Sequence, residues 1–219
     1  MEKEKILTKK EIVESYFKDL DKIDKYELWE KCKWFKYYWN FNSPDFIWNL
    51  THALMAAGFI ENQWWQPISG IIGLATHFNR ENEVKKLFND LFDYQGNGHS
   101  TLQTRVENFI TGANNLSAIH WKGRTKYYQD VQTTSLYLFL YDPSNNYWYL
   151  DNFLYQRCEN DFKIDEFYID FNKFYEFCDE LKEEIDLHYD LSTYLEHTHV
   201  GFNGSPDDYH ILISDILRR

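Results

Sequence analysis

The spacing of apolar positions makes the first half of the chain read as helical. Thr8 followed by Glu11 has the form of a capping box, and Ile12, Val13, Tyr16, Phe17, Leu20 and Ile23 then recur at helical intervals. The pattern continues through "YELWEKCKWFKYYW" to Trp39, which predicts one long helix or two short ones before a break at 40–43. Ser43 and Pro44 read as N-cap and first helical residue and Gly58 as a stop, with Phe46, Ile47, Leu50, Leu54 and Met55 on the buried face between them. "PISGIIGLATHF" predicts a short buried helix, and Glu83 to Phe92 another through Val84, Leu87, Phe88 and Leu91. After the loop "QGNGHS", Ser100 with Gln103 forms a second capping box. The helix that follows uses Leu102, Val106, Phe109 and Ile110 and is expected to stop near Gly112.

From about Asn115 the residues turn β-branched and aromatic. "SLYLFLY" and "YWYLDNFLY" flank a turn segment at Asp142-Pro143-Ser144-Asn145-Asn146, which predicts a β-hairpin. Its first strand is apolar on both faces, Leu136, Leu138 and Leu140 on one and Tyr137, Phe139 and Tyr141 on the other. Such a strand is covered on both sides or holds an aromatic face for a partner. Asp170 opens an amphipathic helix through Phe174, Phe177, Leu181 and Ile185, and "SPDDYHILISDILRR" predicts a last one starting at Ser205 and Pro206. Helices, a small antiparallel sheet, then helices again give an α+β class. The expected organisation is one compact domain over 1–219, divisible into a helical lobe 1–113 and a mixed β/α lobe 114–219.

Composition changes this picture in two places. Aromatics reach 19%, with 8 Trp, 17 Tyr and 17 Phe, a supply of large rings of which Trp and Tyr also suit stacking on flat ligands. The net charge of -12 is unevenly spread: residues 159–190 hold twelve acids against Lys163, Lys173 and Lys182, which leaves only -3 for the rest of the chain. An acidic chain counts against nucleic-acid binding, because phosphate contacts dominate that affinity. Concentrating the acid in one segment leaves room for a basic face elsewhere. Cys32, Cys158 and Cys178 are odd in number and show no Cys-x-x-Cys spacing, which fits a reducing compartment. The charged start "MEKEKILTKK" is no signal peptide, and no run approaches the length of a membrane span, so a cytoplasmic location is expected.

Catalytic motifs are missing. The chain has no G-x-x-x-x-G-K-[ST], G-x-G-x-x-G, G-x-S-x-G or H-E-x-x-H, and "GNGH" at 96–99 precedes a helix without a strand before it. His197 and His199 stand two apart but lack further ligands at a recognisable spacing, so no metal and no cofactor is expected. His120 beside Trp121 has no matched nucleophile or carboxylate. "DFK" at 161–163 has the letters of a restriction-type nuclease site but lies in an acidic, loop-like stretch.

Two stretches interleave cations with aromatic rings, the combination that neutralises phosphate and stacks on bases. In residues 29–39, Lys31, Lys33 and Lys36 alternate with Trp29, Trp34, Phe35, Tyr37, Tyr38 and Trp39, which on a helix reads as rings inward and lysines outward. In "HWKGRTKYY", three cations within five residues surround Gly123, which reads as an exposed turn and the better contact. Its candidates are Trp121, Lys122, Arg124, Lys126, Tyr127 and Tyr128.

The run from Leu102 to Tyr155 has the form L-x-x-R-V-x-x-F-I, N-x-L, G-R-x-x-Y-Y-Q-D, S-L-Y-L-F-L-Y-D-P-x-N-x-Y-x-Y. It resembles the region ahead of the AAA+ motor in McrB-like restriction proteins and related phage-defence ATPases, as does the closing "DDYHILISDILRR". The resemblance implies a non-catalytic recognition module that selects a target, such as modified DNA, for a motor on the same or another chain. No ligand residue carries over from it. Two other functions are compatible with the residues: an acidic protein-interaction module docking a basic partner through 159–190, and a metal-dependent nuclease.

Overall fold

In a computed structural model of the protein, the described residues are 6–19, 27–58, 65–93, 101–151, 153–154, 162, 169–191 and 206–219. Among them the helices are α1 (Lys9–Lys18), α2 (Glu27–Tyr38), α3 (Phe46–Gly58), α4 (Trp65–Thr76), α5 (Glu81–Phe92), α6 (Leu102–His120), α7 (Val131–Tyr141), α8 (Phe171–His188) and α9 (Pro206–Arg218). A single 3-10 turn, Thr125–Tyr127, lies between α6 and α7. The chain forms two compact units, residues 31–141 and residues 1–30 with 142–219. The boundaries fall inside α2 and at the end of α7.

The α+β class and the predicted hairpin are overturned: among the described residues there is no strand and no sheet. The first "strand" is α7, whose ten residues from Val131 to Leu140 are all buried. A helix enclosed on every side needs no polar stripe, so its apolar run carries neither a period of 3.6 nor one of 2. Asp130 starts it, accepting the Thr133 N–H at 2.7 Å on its side chain and the Thr134 N–H at 3.0 Å on its carbonyl. The turn at 142–146 does form, with Ser144, Asn145 and Asn146 all donating to Asp142. It leads from α7 into a buried segment without regular secondary structure, Tyr147–Leu150, rather than a second strand.

Local signals elsewhere are partly confirmed. Thr8 and Glu11 make the reciprocal capping box, and the Asp170 side chain accepts from the Asn172 and Lys173 N–H groups. The cap of α3 is Asp45 rather than Ser43, its Oδ1 taking the Trp48 N–H at 3.1 Å. Thr101 rather than Ser100 caps α6, accepting from the Thr104 N–H. That helix runs through Gly112 to His120, and a methyl at Gly112 would come within 2.6 Å of the Leu87 side chain of α5.

In unit 31–141, α3 to α7 pack around an aromatic cluster. Tyr141 stacks on Phe92 at 4.0 Å, Trp39 meets Phe35, Phe88 and Phe92, and Tyr137 lies against Phe88 and Phe109. Buried Arg105, from the R-V-x-x-F-I motif, donates to the Leu91 carbonyl at 2.6 Å and so satisfies the C-terminal end of α5. The other unit packs α1, α8 and α9 together. Tyr16 donates to buried Asp215 at 2.7 Å, and Arg218 pairs with Glu27 at 2.7 Å. The buried segment Tyr147–Leu150 is held where the Trp148 N–H donates to Ser214 Oγ at 3.2 Å. Cys32 and Cys178 are buried and in no disulfide, while Cys158 lies outside the described residues. No helix of the described residues is long and apolar enough to cross a membrane.

Burial, reinforced by Asp215 beside Tyr16 and by Asp130 near Tyr137, pushes both phenols far above the ordinary tyrosine range. Burial and a hydrogen bond to Asp186 raise Tyr209 to about 12. In the unfolded chain these groups ionise near pH 10, whereas the fold keeps their protons. The folded state therefore binds more protons above about pH 10, and stability falls as pH rises through that value. Urea unfolding should show the midpoint dropping from about pH 10 upward. Tyr16→Phe with Tyr137→Phe, weaker at neutral pH by about 1 kcal/mol per lost hydrogen bond, should fall more gently. A midpoint level to pH 12 would exclude this account.

Candidate nucleic-acid interface

All six residues singled out between α6 and α7 lie in unit 31–141, on a helix-to-helix connection rather than beside a strand. After His120 the chain reverses in a tight turn, closed by the Arg124 N–H donating to the Trp121 carbonyl at 3.1 Å. Lys122 and Gly123 sit at its tip with φ of 50° and 74°, the left-handed region that only glycine enters without cost. Lys122, Gly123, Arg124, Thr125 and Lys126 are all exposed. No carboxylate among the described residues pairs with the three cations, and Lys126 lies 4.9 Å over the Tyr127 ring.

The rings of the segment behave differently from the cations. The Trp121 and Tyr127 rings lie tilted against one another, centroids 4.2 Å apart, and press into α4 at two glycines. A methyl at Gly73 would lie 2.5 Å from the Trp121 ring, and one at Gly70 would lie 2.5 Å from the Tyr127 carbonyl oxygen. The Trp121 indole N–H points at the Gly70 carbonyl at 3.4 Å, and Phe78 meets the same ring edge-on. Tyr128 is half-buried. So the structure gathers the three cations on one exposed turn while engaging Trp121 and Tyr127 with the protein.

What fixes this connection is Gln129, 2% exposed. Its backbone exchanges two hydrogen bonds with the Asn114 side chain, N–H to Oδ1 at 2.6 Å and Nδ2–H to carbonyl at 2.9 Å. Its Nε2 donates to the Pro67 carbonyl at 2.7 Å, and its Oε1 accepts from the Tyr137 hydroxyl at 3.0 Å. One residue thereby ties the connection to α6 through its backbone and to α4 and α7 through its side chain. His120 is likewise structural, since its Nε2 accepts from Arg80 Nε at 3.0 Å and Arg80 in turn pairs with Glu83.

Trp121 and Tyr127 wall a groove of about 370 Å³, completed by Thr51 and Met55 of α3, Ser69, Ile72 and Gly73 of α4, and His77. The outward face of α3 continues beyond it through Trp48 and His52, whose rings stack at 3.9 Å. Tyr38 touches both rings and Trp34, and Tyr37 touches Tyr38. Trp34, Tyr37 and Trp48 are 56%, 81% and 48% exposed. Within 29–39, Trp29, Cys32 and Phe35 point inward and Lys33 and Lys36 outward as expected. Trp34 and Tyr37 do not: they face solvent beside those lysines.

Charge follows the same division. Residues 31–141 hold ten Lys and Arg against eight Asp and Glu, whereas the other unit holds thirteen against twenty-seven. Among the described residues no group of three or more His, Cys, Asp or Glu is placed to hold a metal ion. His197, His199, the "GNGH" loop and "DFK" apart from Phe162 lie outside the described residues.

Gly70→Ala should cost about 1–3 kcal/mol, the range for overpacking, because the new methyl meets backbone rather than a movable side chain. Gln129→Ala should cost a similar amount by leaving the Pro67 carbonyl and Tyr137 hydroxyl without their partner. Denaturant unfolding measures both, and wild-type stability in either variant would contradict this anchoring.

Comparison of the chain with protein-family models, with curated proteins and with solved structures finds no match.

Proposed function

We propose that this chain recognises nucleic acid through unit 31–141, with the turn at 122–126 as its phosphate contact. What carries the proposal is that turn. Three cations within five residues are held outward on a left-handed reversal, without a carboxylate partner among the described residues, on the one unit of the chain that is not strongly acidic. A cation already neutralised by a neighbour gains little from a phosphate, while an unpaired one releases a counterion when it binds. The acidic remainder of the chain disfavours non-specific adhesion along the backbone and leaves contact to this face. A target-selecting role for a restriction or defence ATPase is the setting that the sequence resemblance suggests. The motif residues behind it, such as Arg105, Val106 and Phe109, are buried and so serve the core.

Docking of a basic protein on the acidic segment has less support. Asp179, Glu180, Glu184 and Asp186 of α8 are engaged by Tyr147, Lys9, His188 and Lys182 respectively.

Fluorescence anisotropy of labelled oligonucleotides in low salt tests the proposal. Lys122→Ala/Arg124→Ala/Lys126→Ala should weaken binding and flatten the log–log salt dependence by about 2, the amount for three lost contacts to a single strand. Neutralising Glu176 and Glu183 should leave that dependence unchanged. A triple variant with wild-type affinity and slope would contradict the assignment.

A further inference from the structure

We infer, building on the nucleic-acid reading, that the ligand is an unpaired single strand. Its phosphates lie at the basic turn, and its bases stack on the open rings of Trp34, Tyr37 and Trp48.

The rings form a continuous ladder. Trp34, Tyr38, Trp48 and His52 are each within 6.1 Å of the next, linking α2 to α3. His52 Nδ1 lies 2.8 Å from the Trp48 carbonyl, which can only accept, so the imidazole carries its hydrogen there and is held flat against the indole. Asp45, the acid nearest in sequence to these rings, is already the cap of α3 through the Trp48 N–H. These rings are therefore fixed in orientation with their outer surfaces uncovered.

The ladder and the basic turn share one surface. Trp48 and His52 fall on the same side of α3 as Thr51 and Met55, which wall the groove opposite Trp121 and Tyr127. Trp48 to Met55 is about 10 Å along the helix axis. A strand leaving the cations at 122–126 thus crosses the groove and meets the rings without leaving unit 31–141. Lys33 and Lys36 are exposed beside Trp34 and Tyr37, placing positive charge at that end as well.

Pairing state follows from the faces available. A duplex hides base faces within its own stack and offers phosphates and groove edges, leaving three exposed rings without a partner. An unpaired strand presents π-faces to rings and phosphates to cations at the same time. Cations flanking the rings favour a polyanion over an apolar protein surface or a second copy of this chain.

The test uses the full chain and labelled strands of about 16 nucleotides, the upper end of single-strand site sizes. The panel is DNA, RNA, the corresponding duplex, and an abasic DNA strand of equal length. Single strands should bind at least tenfold more tightly than duplex or abasic strand, with the DNA and RNA arms identifying the sugar. Trp34→Ala and Trp48→Ala should each lose about tenfold on single strands with an unchanged salt slope. Tyr37→Ala, at the most exposed ring, should weaken binding in the same sense without disturbing the fold, as checked by thermal unfolding. Equal binding of single strand, duplex and abasic strand, unaffected by ring removal but lost with the three cations, overturns the single-strand inference and leaves the phosphate contact standing. No binding of any oligonucleotide by wild type overturns both. Ring-dependent self-association in sedimentation, without ring-dependent oligonucleotide binding, assigns the rings to an interface between copies and overturns the inference.

Discussion

The geometry of the proposed interface depends on a single buried amide. Gln129 has its backbone N–H and carbonyl bound by Asn114, its side-chain nitrogen by Pro67 and its side-chain oxygen by Tyr137. A buried amide leaves no group to spare: each hydrogen bond it makes is modest against water, and each one lost exposes the full desolvation cost. The connection between α6 and α7 is thus held at one point to three helices. Upstream, the notches at Gly70 and Gly73 receive Tyr127 and Trp121. Between the glycine notches and the chain reversal, only the short cationic tip is left outward. Cations held on a fixed turn lose less conformational freedom on meeting phosphate than they would on a free loop.

The two units divide the chemistry. The acidic one spends many of its carboxylates internally, Asp215 on Tyr16 and Arg219, Glu27 on Arg218, Asp186 on Lys182 and Tyr209. The other is near neutral, rich in rings, and shows its cations at 122–126 without a carboxylate partner among the described residues. A whole-chain net charge of -12 hides this division, because the boundary passes through α2 and cannot be drawn from composition alone.

What the sequence disclosed follows from which interactions are local. The Thr8–Glu11 box, the Asp170 cap and the amphipathic run of α5 are written within a few residues, and all are present. The α7 segment misled because a helix buried on every side has no polar face to reveal its period; the better clue was Asp130 three residues before Thr133. Gly112 resembled a stop signal, yet it lies inside α6, where it faces the Leu87 side chain of α5. Three of the six candidate site residues, Lys122, Arg124 and Lys126, were legible as an exposed turn. Trp121 and Tyr127 were not legible as groove walls, since their partners lie some fifty residues upstream. Trp34 and Tyr37 could have been found: at 100° per residue they lie about 150° from the direction set by Leu28, Cys32 and Phe35.

The most direct measurement is photo-cross-linking of a single strand carrying a halogenated base to the intact protein, followed by peptide mapping. The account predicts cross-links in the peptides holding Trp34, Trp48 and Trp121–Tyr128. Cross-links confined to residues 1–30 or 142–219 would contradict it.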